Sequence, residues 1–286
     1  MKTPLVFNRL AGRGRLAERL RLAADKHDIR PVPSADPAET RRLVAELAAD
    51  HPRVIVAGGD GTLHHALRGL DGSDAILGLV PIGTGNDFAT ALGIPAELDA
   101  AIARAVGAPG TPVDLGRAGQ TRFGGIAGIG IVADVLTYLD AFTRRFRGNW
   151  VYPWAVLRTV LRYRALEVRL ESEEGHYAGP AMIAAAANAP RFGGGMCVAP
   201  EASMHDGLLD VVVLTGTSRL ALIRLLPRVY RGTHLSDPAC TVFRSPEVRI
   251  TSGTSAVVHA DGEAMPEDTG TGTVFRVDAN AIRVAV

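Results

Sequence analysis

The sequence predicts two packed domains: an α/β domain on a parallel sheet over residues 1–118, then a β-rich domain with helical insertions over 119–286. Three observations lead there. Up to about residue 93, short apolar runs alternate with stretches of helical periodicity across short connections, the pattern of a parallel sheet covered on both faces. After residue 110 the texture changes to short β-like runs interrupted by few helices. No long linker or internal repeat separates the halves, so a cleft between them is the expected site. The chain's 286 residues, 47% of them hydrophobic and 21% charged, suffice for a buried core.

In order, Thr3–Asn8 reads as a strand and residues 15–26 as a helix with Leu16, Leu20 and Ala23/Ala24 on one face. Ile29–Val32 is a second strand. Pro37 suits the first turn of a helix reaching about Asp50, with Leu43, Val44 and Leu47 inward. Val54-Ile-Val-Ala57 is a buried strand that stops at Gly58-Gly59-Asp60-Gly61-Thr62, after which Leu63, Ala66, Leu67 and Leu70 line one face of a helix. Ile76–Pro81 is another buried strand. It stops at Gly83-Thr84-Gly85-Asn86-Asp87, followed by a short helix through Leu92. Pro112–Gly116 leaves the first domain. Glycine-rich strand material at 123–132 leads to helices near 131–143 and 150–164. Strands follow at 165–172, 181–188, 208–215, 246–251, 255–260, 273–277 and 281–286, with one helix at about Arg219–Tyr230.

Two loops carry the chemistry of the first domain. Glycines let backbone N–H groups approach an anion, and a helix N-terminus adds partial positive charge, so a strand, a glycine turn and a helix start make a phosphate site. Asp60 would repel phosphate unless a metal ion or a positioned proton accompanies it. An acidic turn with Thr62 as helix cap is the plainer alternative. In the second domain, Gly193-Gly-Gly195 permits a bulge or a close backbone approach, and Asp206-Gly207 suits a hairpin turn. Asp261-Gly262-Glu263 is either a charged turn or, on a regular strand, two carboxylates on one face, one a general base. Net charge of +1 gives no case for nucleic acid. Cys197 and Cys240 match no metal spacing. No apolar run of about 20 residues is present to span a bilayer.

Together, Gly58–Thr62, Pro81–Ala89, Asp114, Gly193–Met196 with Ala199-Pro200, Asp206–Asp210 and Asp261–Glu263 resemble, in order and spacing, the diacylglycerol kinase catalytic family, which includes sphingosine kinases and bacterial lipid kinases. The resemblance implies an α/β parallel-sheet nucleotide-binding domain, then a β-sandwich-like domain, with the active site in the interdomain cleft. It implies transfer of a phosphoryl group from ATP to a lipid hydroxyl, diacylglycerol first. Asn8, Gly58, Gly59, Gly61, Thr62, Gly83, Thr84, Asn86, Asp87, Asp114 and Asp261 would line the nucleotide site. Asp60 would act with Mg²⁺ at the transferred group, and Glu263 would be the general base. A structural Mg²⁺ would take the Asp206 carboxylate and the backbone carbonyls of Ser203 and Leu208. The chain departs from the family pattern at Arg9, Ala11-Gly12, His65, Arg68/Gly69 and Thr90.

The resemblance further implies a protein of the cytoplasm that visits membrane lipid peripherally, with a homodimer allowed. The basic and aromatic residues Arg144, Arg145, Arg147, Trp150, Tyr152 and Trp154 suit such an interface, or else the packing of an ordinary helix. Three rival activities share parts of the pattern: a kinase of a sphingoid base, an NAD kinase-like enzyme with its own Gly-Gly-Asp-Gly loop, and a non-catalytic nucleotide- or lipid-binding regulator.

Overall fold

The computed structural model describes residues 2–9, 15–130, 158–159, 164–215, 218–253, 256–265 and 272–286. The helices expected at 131–143 and 150–164, and with them the basic-aromatic stretch, lie almost wholly outside the described residues.

The first domain is a parallel sheet in the order β2 (Ile29–Ser34), β1 (Thr3–Asn8), β3 (Arg53–Gly58), β4 (Ile76–Pro81). In β1, β3 and β4 the four central residues are all buried, because helices cover both faces of the sheet. Period-two alternation then divides the side chains. Leu5, Phe7, Ile55 and Val80 pack under α1 (Arg15–Lys26) and α5 (Leu98–Gly107), while Val6, Val54, Val56, Leu77 and Leu79 pack under α2 (Pro37–Asp50) and α3 (Asp60–Gly69). Each such side chain contributes about 1.5–3 kcal/mol on burial. Helix α2 starts at a reciprocal cap. Asp36 accepts from the Glu39 N–H at 2.8 Å, Glu39 accepts from the Ala35 N–H at 2.6 Å, and Pro37 fills the first turn. Helix α5 was not expected from the sequence. Leu98, Ala101, Ile102 and Ala105 do recur at helical spacing, but half of these buried residues are alanines, which give a faint signal.

The second domain is largely antiparallel. Its strands run β13 (Val258–Ala260), β7 (Ile126–Gly130), β9 (His176–Ala187), β8 (Leu166–Glu171), β12 (Glu247–Ser252), and β10 (Leu209–Thr215) also pairs with β9. Phe123, Leu170, Val211, Val248 and Phe275 fill its core. Strand β9 starts five residues earlier than the sequence suggests, because Pro180 and Gly179 hide a paired segment. Strands β6 (Thr121–Phe123), β11 (Cys240–Ser245) and β14 (Glu263–Met265) were not expected. They are short or half-exposed and lack an apolar run. Helix α6 (Arg219–Arg231) lies where expected, capped by Ser218.

The runs at 273–277 and 281–286 are one strand, β15 (Thr273–Ala285). Its first half pairs with β12, and its last residues join the first domain, Arg283 and Val284 lying parallel to Ile76 and Leu77 of β4. Along its length it pairs with β5 (Gly110–Ala118), making a ribbon that runs from one sheet into the other. The ribbon's register shifts between Asp278 and Ile282, where Asn280 adopts a left-handed φ of 52°. Asp114, which is 3% exposed, sits opposite this irregularity. One of its carboxylate oxygens accepts from the Asn280 N–H at 2.7 Å and the other from the Gly207 N–H at 2.8 Å. Asn188 donates from Nδ2 to the Asp114 and Gly124 carbonyls. Asp278 takes Arg117 and Arg122, and Arg122 reaches Asp71 of the first domain at 2.8 Å.

Asp114→Asn keeps the shape but turns an amide N–H₂ toward one of the two backbone donors. It is expected to lower the free energy of unfolding by about 1–3 kcal/mol, read from the urea midpoint at constant m-value.

Candidate active site

Helix α3 begins at Asp60, three residues earlier than a Thr62 cap would place it. Gly59 is the N-cap, so Asp60, Gly61 and Thr62 form the first helical turn. The free N–H groups of that turn and the positive end of the helix dipole face the carboxyl edge of the sheet. The glycines are required by contact. A Cβ on Gly58 would lie 2.4 Å from Thr62 Cβ, and one on Gly83 would lie 2.5 Å from Gly59 Cα. The two phosphate-type loops therefore touch, backbone to backbone. Asn86, with φ of 54° and just ahead of the short helix α4 (Asp87–Ala91), closes the second loop by accepting from the Gly83 N–H at 2.8 Å and donating to the Gly83 carbonyl at 2.9 Å. Thr84 is exposed, and Asn8 ends β1 half-buried at the same sheet edge.

Asp87 and Asp261 turn out to be connectors. Asp87, 8% exposed, accepts from the Gly194 N–H at 2.9 Å and the Gly195 N–H at 3.0 Å, across the domain junction. Gly193, Gly194 and Gly195 all have positive φ, which turns successive N–H groups to one side. Asp261 accepts from the Gly124 N–H at 2.7 Å on Oδ2 and from the Gly125 N–H at 2.8 Å on Oδ1, and His64 Nδ1 lies 3.2 Å from the same Oδ2. Asp87, Asp114 and Asp261 thus each accept from two backbone amides, and Asp87 and Asp261 also line the cavity between the domains. Asp261 and Glu263 do not share a strand face. Ala260 pairs with Glu263, so Asp261-Gly262, at φ 50° and 92°, is a two-residue hairpin turn. Its tight geometry sends Asp261 inward and leaves Glu263 exposed at the start of β14.

Between the domains lies a cavity of about 130 Å³, lined among others by Asp60, His64, Asp87, Phe88, Arg191 and Asp261. Asp60 also lines a smaller hollow with Gly58, Gly59 and Asn86. Burial, and then the nearby Asp87 charge, push the Asp60 carboxyl above its ordinary value near 3.8. The backbone N–H groups of Phe88, at 3.4 Å, Asn86 and Asp87 oppose this shift. Among the described residues no lysine or arginine is paired with Asp60. A half-buried carboxylate beside a second carboxylate, next to a helix N-terminus, fits a bound divalent cation that accompanies phosphate. The residues at Asp206 fit less well. Asp206 accepts from the Leu208 N–H at 3.0 Å and is ion-paired with Arg244, which also reaches Asp210 at 3.4 Å. Leu208 enters through its N–H, Ser203 Oγ accepts from the His205 N–H, and Arg244 already supplies the positive charge. Among the described residues no three His, Cys, Asp or Glu side chains converge to hold a metal by themselves.

Sequence reasoning passed over His64, Asn188 and Arg191. His64 is 2% exposed on the otherwise apolar face made by Leu63, Ala66 and Leu67, and a polar residue inside an apolar stripe was the available signal. Next to it, His65 packs edge-on at 5.3 Å. Desolvation, reinforced by His64, lowers the His65 pKa, and Glu263 opposes the shift.

Residues 2–118 match the family described as the diacylglycerol kinase catalytic domain, and residues 125–286 match the YegS C-terminal NAD kinase beta sandwich-like domain. The chain belongs to the diacylglycerol kinase catalytic-domain family. By family it is a lipid kinase. It is 32% identical over 276 residues to a diacylglycerol kinase of Mycobacterium tuberculosis, covering 92% of this chain and 88% of that one. It is 34% identical over 230 residues to a YegS-like lipid kinase of Pseudomonas putida, covering 79% and 76%. A crystal structure of a diacylglycerol kinase from Bacillus anthracis superimposes with a TM-score of 0.76 at 22% identity, covering 99% and 96%, which establishes the common fold. This lipid-kinase family fold accordingly has the α/β domain first and the β-sandwich-like domain second.

Two outcomes follow from the site. Gly83→Ala forces the paired loops apart and is expected to cost about 1–3 kcal/mol of stability by denaturant unfolding. Asp60→Asn is expected to stabilise the fold at pH 7 while removing at least about 100-fold of any phosphoryl transfer. A carboxyl whose pKa is raised on folding destabilises the native state increasingly as pH rises from the unfolded value near 3.8 through the folded value. The stability gain of Asp60→Asn is therefore full at neutral pH and disappears below about pH 4, which melting curves of both proteins across pH would show.

Proposed function

We propose that this lipid kinase transfers the γ-phosphoryl group of ATP to the hydroxyl of diacylglycerol, giving phosphatidic acid. The observation that carries the reading is the juxtaposition at the interdomain cleft. Two touching glycine loops and the N-terminus of α3, with Asp60 in its first turn, stand on one side. The Asp261-Gly262 turn, leading directly into Glu263, stands on the other. The diacylglycerol kinase name of the M. tuberculosis relative supports the choice of acceptor.

In this reading the amides of α3's first turn and of the two loops bind phosphate oxygens. Mg²⁺, when bound at Asp60, neutralises charge on the phosphates. Glu263 takes the proton of the lipid hydroxyl as its oxygen bonds to the γ-phosphorus, and the bond from that phosphorus to the β-phosphate bridging oxygen breaks, its electron pair leaving on ADP. The protein contributes positioning and electrostatics more than covalent chemistry, and a positioned base adds about 10²–10⁴-fold. The apolar Leu63, Leu67, Phe88 and Phe192 in the cavity wall suit an acceptor with acyl chains. We place the acceptor at the cytoplasmic surface of a membrane, which the protein visits peripherally. No helix among the described residues is long and apolar enough to cross one.

One observation favours a second reading. The match of residues 125–286 carries an NAD kinase-like description, so NAD is the competing acceptor. With γ-labelled ATP and diacylglycerol, a sphingoid base and NAD offered in parallel, label is expected on diacylglycerol. Label on NAD alone would defeat the proposal, and ATP binding without transfer to any lipid would make the protein a regulator. Glu263→Ala is expected to lower turnover by about 10²–10⁴-fold and leave ATP binding by calorimetry unchanged.

A further inference from the structure

Helix α3 carries Asp60 at its first position and His64 one turn later, so the two side chains share a face and both line the interdomain cavity. The His64 side chain is 1% exposed, and its Nδ1 lies 3.2 Å from Asp261 Oδ2. This is a side-chain bond from the first domain to the turn that presents Glu263. Asp261 is held at the same time by the Gly124 and Gly125 N–H groups. Its φ of 50° and the 92° of Gly262 leave the turn little freedom to place the next residue otherwise. A polar ring costs stability on an apolar helix face unless its hydrogen bond is made. His64 makes that bond to the residue two before Glu263.

We propose that His64 is a positioning residue for phosphoryl transfer. Donating from Nδ1 to Asp261, it locks the Asp261-Gly262 turn to the helix that bears Asp60, and so fixes where Glu263 stands relative to the phosphate loops. This inference rests on the reading of Glu263 as the general base. The donor requirement sets the protonation of the ring, with the proton on Nδ1 whenever the imidazole is neutral. A displacement of about 1 Å at a reacting group costs on the order of 100-fold in rate, so a single bond of this kind is enough to matter.

Two substitutions separate positioning from packing. Asn places its amide nitrogen where Nδ1 stands, keeping the donor while losing volume. Gln keeps more of the volume but places its amide one carbon further out, where Nε2 stands. If His64 positions the turn, His64→Asn retains kcat within about threefold and His64→Gln loses about 10- to 100-fold in kcat, with the KM for ATP unchanged in both. If His64 only fills space, the order reverses, or kcat follows the melting temperatures of the two variants, and the proposal is overturned. The double variant His64→Gln/Glu263→Ala tests the route: its residual rate should equal that of Glu263→Ala alone, because there is no base left to misplace. A further drop in the double variant means that His64 acts by another path. The two readings fail differently. Undiminished turnover by Glu263→Ala removes the base assignment, whereas a strongly slowed Glu263→Ala beside a fully active His64→Gln removes only the role of His64.

Discussion

The arrangement of the two domains depends on one kind of bond repeated: an aspartate accepting from a pair of backbone N–H groups distant in the sequence, most of them in turns of left-handed φ. Asp87 holds Gly194 and Gly195, Asp114 holds Gly207 and Asn280, and Asp261 holds Gly124 and Gly125. Charge-assisted bonds of this type are short and directional, and leaving either side unmade where it is buried is costly. They fix the junction more sharply than apolar contact could, because apolar contact tolerates sliding. The Gly193–Gly195 segment shows the cost and the gain together. Three left-handed residues give up conformational freedom, and in return two amides converge on a single carboxylate.

Asp60 stands out against this background. The other three carboxylates at the junction are held by short bonds from protein amides, whereas around Asp60 burial and a like-charged neighbour outweigh the backbone N–H groups that reach it, and its pKa is raised. The fold tolerates this unfavourable group at the end of α3, where the helix dipole compensates it in part. Such imbalance is expected where a site is organised for a charged ligand rather than for stability. Helix α3 then links the unbalanced end to the opposite wall of the cleft through the His64–Asp261 bond, so the two sides of the site share one rigid element.

Much of the fold was legible because burial on both faces forces an unmistakable pattern. The four-residue apolar cores of β1, β3 and β4 end at their glycine loops, and the helices between them show a clear stripe. Legibility failed where that pattern weakens. Helix α5 is packed mostly by alanines, β11 has alternating exposure, and the start of β9 contains Gly179 and Pro180. The site was half legible. Gly58, Gly59 and Gly83 signal close approach in the sequence, and the contact between Gly59 and Gly83 gives the reason. His64 was passed over because a histidine inside an apolar stripe reads as a core residue until its partner, 197 positions away, is known.

By itself, the sequence determined the two domain types and the two glycine loops at the carboxyl edge of a parallel sheet. These follow from local rules, side-chain periodicity, the backbone freedom of glycine and the chemistry of helix starts, whereas Asp60 and Glu263 were singled out by the resemblance of the ordered motifs. Tertiary structure alone shows which donors each remaining acid holds. Asp87, Asp114 and Asp261 look alike in the sequence to any phosphate- or metal-binding aspartate, and Asp206 looks like a cation ligand. A carboxylate's role is set by the donors that reach it first, and those donors, the amides of distant glycines and the Arg244 guanidinium, are brought into range by strand pairing across more than one hundred residues for Asp87 and by 38 for Asp206. The same long-range pairing carries β15 back into the first sheet and makes one cleft out of two domains.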